Sequence, residues 1–66
     1  MDEMLIWLLY EIWEDLYYIN QSVNDMKSDL ININFNHAKE ELKYIKVAIP
    51  IYESHLRALR DKLENG

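Results

Sequence analysis

The side chains that could do chemistry in this chain are two histidines, His37 and His55, and twelve acidic residues, with no cysteine among 66 positions. A carboxylate-bridged metal site in a helical bundle is built from Glu-x-x-His pairs on facing helices. Asn34 and Tyr52 stand three residues before the two histidines, so neither forms such a pair. His37 precedes Glu40 and Glu41 on one helical face, which is a common arrangement, and no metal or cofactor is expected. No Ser-His-Asp set can be nominated, and the single glycine, Gly66, excludes a glycine-rich phosphate loop. The sequence points away from an enzyme.

What remains is binding. Trp7, Tyr10, Trp13, Tyr17 and Tyr18 crowd one stretch, with Tyr44 and Tyr52 further on. Tryptophan and tyrosine are favoured where a large apolar body meets a wet edge, and they dominate protein interfaces. The expected interface residues are Ile6, Trp7, Tyr10, Trp13 and Tyr17, serving self-association or docking to a heterologous protein. Lys39, Lys43, Lys46, Arg57 and Arg60 could form a basic stripe, the electrostatic footprint of a nucleic-acid-binding hairpin. A net charge of −5 argues against nucleic acid as the partner. The acids Glu11, Glu14, Asp15, Asp25 and Asp29 could imitate a phosphate backbone, though a solvated face explains them more simply.

These residues must be positioned by helices. Half the residues are apolar, with one glycine and one proline, so a β-rich fold would lack its turn residues. Leu5, Leu9, Ile12, Leu16, Ile19, Val23, Met26, Leu30 and Ile33 recur at alternating spacings of four and three, a heptad seam. With Leu9, Leu16, Val23 and Leu30 at a, and Leu5, Ile12, Ile19, Met26 and Ile33 at d, Ile6 and Trp13 fall at e. The apolar arc is therefore wider before Asn20 than after it. A second seam, Phe35, Ala38, Leu42, Ile45, Ile49, Tyr52, Leu56, Leu59 and Leu63, is out of phase with the first. Between them Asn32, Asn34 and Asn36 tolerate turn geometry and cap helix starts, with Asn34 or Asn36 as N-cap.

The expected fold is all-α: one antiparallel helical hairpin over residues 1–66, with helix one at about 3–31, a turn at about 32–36 and helix two at about 37–63. Pro50 lies inside the second helix, yet the seam stays in phase across it, which predicts a kink rather than a reversal. A chain this short buries only about 60% of its unfolded surface. With no disulfide available, a second copy is the expected source of further burial, giving a homodimeric four-helix bundle.

Charge supports a hairpin. Residues 1–31 carry seven acids against Lys27 alone, hence −6, and residues 32–66 carry six bases against five acids, hence +1. Folding about residue 34 would set Asp29 against Lys39, Asp25 against Lys43, and Glu11 against Arg57. The apolar run Met4 to Tyr10 follows Asp2 and Glu3, where an export signal would carry Lys or Arg, and Glu11, Glu14 and Asp15 end it too early for a membrane span. A cytoplasmic protein without membrane contact is expected. Usage heavy in Ile, Asn and Lys suggests an AT-rich genome of bacterial or phage origin. The function expected is a small interaction module, such as an inhibitor, antirepressor, antitoxin or adaptor, that occupies a partner's surface.

Overall fold

The computed structural model describes residues 2–65. It is an antiparallel helical hairpin, α1 over Glu3–Ile31 and α2 over Phe35–Asn65, measuring 49 × 17 × 12 Å. Asp2 caps α1: its carboxylate accepts a hydrogen bond from the Met4 amide at 2.9 Å, where the helix dipole also favours negative charge.

α1 ends in a Schellman turn. The Ile33 amide donates to the Leu30 carbonyl at 3.3 Å and the Asn34 amide to the Asp29 carbonyl at 2.7 Å, satisfying carbonyls that the helix end would leave bare. The closing residue of such a turn adopts a left-handed conformation, usually as glycine. Here it is Ile33, at φ 57°, a conformation that a β-branched residue adopts only under strain. Asn34 then starts α2 at once, its side-chain oxygen accepting from the His37 amide at 3.4 Å and its carbonyl from the Ala38 amide at 3.1 Å. The reversal thus needs only Asn32 to Asn34, and Phe35 and Asn36 belong to α2.

α2 continues through Pro50 as one helix. Proline lacks the amide that would bond the Lys46 carbonyl, but both residues face solvent, so water can supply that bond.

The two helices do not meet along the seams that the apolar pattern marks. On α1 the residues turned to α2 are Leu5, Leu8, Ile12, Asp15, Ile19, Ser22, Met26 and Asp29; on α2 they are Ala38, Glu41, Ile45, Ala48, Tyr52, His55, Leu59 and Lys62. Each set keeps the heptad spacing, yet shares only half of the predicted seam. Leu8 is 2% exposed and the next residue, Leu9, is 56% exposed. The contact line has rotated by about half of the 100° step between neighbouring residues, exchanging Leu9, Leu16, Val23 and Leu30 for Leu8, Asp15, Ser22 and Asp29.

Candidate interaction surface

That rotation leaves apolar side chains uncovered along both helices. Leu9, Leu16, Val23 and Leu30 on α1, and Phe35, Leu42, Ile49, Leu56 and Leu63 on α2, are all exposed. Both lines lie on the same side of the hairpin. Sighted down its own axis from the N-terminus, each helix carries its exposed line clockwise of its contact line. Because the helices run in opposite directions, the two clockwise displacements point to one face. The result is an apolar strip running the length of the molecule, with a hollow of about 570 Å³ on α1 lined by Leu9, Tyr10, Ile12, Trp13 and Leu16.

The five aromatic and aliphatic residues expected to form an interface are all exposed, but they do not share a face. Ile6 and Trp13 border the apolar strip, Trp13 stacking on Tyr17 with ring centroids 5.6 Å apart. Tyr10 and Tyr17 sit on the back of α1, away from α2. Trp7 lies on the opposite flank, its ring edge-on to His55 at 5.9 Å and 88°.

The opposite face of the hairpin is mixed: Met4, Trp7, Tyr18, Tyr44, Val47 and Ile51 are exposed there, and between them lie the side-chain pairs that join the two helices. His55 Nδ1 lies 2.6 Å from Asp15 Oδ2, and Glu11, one turn before Asp15, brings a carboxylate to the same place. Nearer the turn, His37 Nδ1 lies 2.6 Å from Asp29 Oδ2, with Glu41 3.9 Å from its other ring nitrogen. The hydrogen bond that His37 donates to Asp29, then the charge of Asp29, raises the His37 pKa above the usual 6.5, with Glu41 and Asp25 adding to the effect against the cost of desolvation. At the open end Lys62 donates to Asp2 at 3.0 Å, tying the last turn of α2 to the cap of α1. That bond leads the Met4 amide among the causes that lower the Asp2 pKa.

The chain matches no family model, no curated protein and no solved structure.

The cross-helix ion pairs expected from charge are not the ones that form. Among the described residues Lys43 pairs with Glu40 and Arg60 with Asp61, both within α2, and Asp29 takes His37 rather than Lys39. The cause is the rotated contact line. It turns Glu41, His55 and Lys62 inward and leaves Lys39, Lys43, Lys46, Arg57 and Arg60 on the outer side of α2, all exposed. The Asp15–His55 and Asp29–His37 pairs escaped sequence reasoning because helical spacing is local, whereas a cross-helix pair depends on register and rotation together. The signal available was the two i,i+4 carboxylate pairs, Glu11–Asp15 and Asp25–Asp29, set two heptads apart. Among the described residues no helix is long and apolar enough to cross a membrane.

Proposed function

We propose that this chain is a small non-enzymatic protein-interaction module that works as a homodimer, two hairpins with α2 kinked at Pro50 joining through their apolar strips into a four-helix bundle. The observation that carries this reading is the continuous aliphatic strip on one face of both helices. Its extent fits. A compact monomer of 8.0 kDa exposes about 4,500 Å², and this hairpin exposes 5270 Å². The excess, roughly 800 Å², is about what each partner contributes to a standard protein interface. A second copy brings the same strip with the same heptad spacing, the condition for knobs-into-holes packing along its whole length.

The dimer leaves Tyr10 and Tyr17 on the outer side of α1, where a heterologous protein would find rigid aromatic anchors. Inhibitor or adaptor action on such a partner is the reading that these exposed rings support. The test has two parts. Sedimentation equilibrium should give twice the chain mass, and a strictly monomeric protein at all concentrations removes the reading. Capture by the tagged chain from its host's lysate, with and without nuclease, should then retain one stoichiometric protein after nuclease.

A nucleic-acid-binding dimer is the second reading, favoured by the outward placement of Lys39, Lys43, Lys46, Arg57 and Arg60. Salt separates the two. A phosphate-bound partner should be lost steeply as salt rises, whereas one held by tyrosines should change little.

A further inference from the structure

Glu11, Asp15 and His55 converge from two helices so that one ligand atom from each lies within 4.8 Å of the others. All three are half-buried, on the face opposite the aliphatic strip. We propose that they form a binding site for one divalent transition-metal ion of the zinc class.

The donor chemistry fits. One imidazole nitrogen and two carboxylate oxygens are the nitrogen and oxygen ligands that zinc takes at about 2.0–2.2 Å. Donor atoms around one tetrahedral ion at those bond lengths stand roughly 3.3 Å apart. The Asp15–His55 pair, now at 2.6 Å, has to open by less than about 1 Å, which carboxylate rotation supplies. A cation would find both carboxylates open to it. Among the described residues neither has a lysine or arginine within 4.0 Å: the five cross-helix and i,i+3 or i,i+4 pairs that do form engage Asp2, Asp29, Glu40, Glu41 and Asp15, the last with His55 alone. A dication would balance both negative charges while replacing the proton that Asp15 and His55 share.

Helix geometry preorganises the set. Glu11 and Asp15 are one turn apart on a continuous helix, so their side chains emerge side by side, and the hairpin register brings His55 to their level. A groove of about 590 Å³, lined by Met4, Trp7, Leu8, Ser54, Ala58 and Lys62 among others, opens beside His55 and gives an ion a path in from solvent. Three protein ligands leave the fourth position to water from that groove. The site lies on the face away from the apolar strip, so it depends on hairpin register and not on dimerisation.

Trp7, edge-on to His55, makes the site optically readable. In a Trp13→Phe background Trp7 is the sole tryptophan, and cobalt bound at His55 should quench its fluorescence and show the intense visible bands of a tetrahedral ion. Calorimetric titration with zinc should saturate at one ion per chain. Asp15→Asn and His55→Gln should each weaken binding by more than the roughly 10- to 100-fold that loss of even an outer partner of a metal ligand costs. Asp15→Asn retains a hydrogen-bonding group for His55, so circular dichroism should show a folded hairpin that has lost its metal. His37→Gln should leave stoichiometry and affinity unchanged. Failure of zinc to bind saturably, binding that survives both Asp15→Asn and His55→Gln, or binding abolished by His37→Gln alone would each overturn the assignment.

Discussion

Placing a charge at the middle of the apolar strip should separate the proposed dimer while leaving the hairpin folded, and Leu16→Asp is the substitution that does so. Leu16 retains 40% of its surface within the hairpin, so pairing of two copies can bury about two fifths of a leucine in each. Full burial of such a side chain is worth about 1.5–3 kcal/mol, which makes the lost contact about 1 kcal/mol per copy. The larger effect is desolvation, because an unpaired carboxylate held in an apolar contact costs several kcal/mol. Twofold symmetry counts both effects twice. The sum is about 6 kcal/mol or more, equivalent to a roughly 10⁴-fold weaker dimer. In the separated hairpin the introduced carboxylate would sit largely in water, where the change costs about 1–2 kcal/mol for the three fifths of the leucine already covered and a few tenths more in helix propensity, far less than the effect on the dimer. Sedimentation equilibrium over a wide concentration range measures the shift. Tyr17→Asp, on the back of α1, serves as the comparison and should remain dimeric. A Leu16→Asp protein whose dimer constant is unchanged would refute the assignment of the strip.

Trp13→Asp, at the edge of the same strip, should also break the dimer, which size-exclusion chromatography with light scattering reads directly. Ile33→Gly should raise stability by about 1 kcal/mol in urea denaturation, since glycine takes the left-handed turn conformation without the clash that Ile33 bears. Pro50→Ala should raise it by up to about 3 kcal/mol by restoring the bond to the Lys46 carbonyl, at no cost in packing because Pro50 is exposed. The pH dependence has a definite sign at each end of the molecule. His37 has a raised pKa in the fold, so its pairing with Asp29 stabilises fully below about pH 6.5 and is lost as pH rises through the folded value; His37→Gln should remove that loss from a thermal-melt series. Asp2 has a lowered pKa, so its contribution is present above about pH 3.8 and disappears as pH falls through the folded value, a step that Asp2→Asn should abolish.

What the sequence determined by itself is local. The four-and-three spacing of apolar residues requires helices, because only the 3.6-residue turn gathers those positions on one side. The asparagines at 32, 34 and 36 mark the reversal, although the left-handed position fell to Ile33, since the helix-end hydrogen bonds of Leu30 and Asp29 fix which residue must take it. The absence of cysteine and the breadth of the apolar arc are the local features on which the proposal of a second copy rests. What only the tertiary structure decided is rotation about each helix axis. Turning a helix by half a residue step breaks none of its backbone hydrogen bonds, so no local preference opposes it. The choice falls to contacts between the two helices, the burial of Leu8, Ala38 and Ile45 together with the pairing of Asp15 with His55, Asp29 with His37, and Asp2 with Lys62. The resulting contact line is partly polar, with the larger apolar line outside it, and the same register gathers Glu11, Asp15 and His55 at one level from two helices.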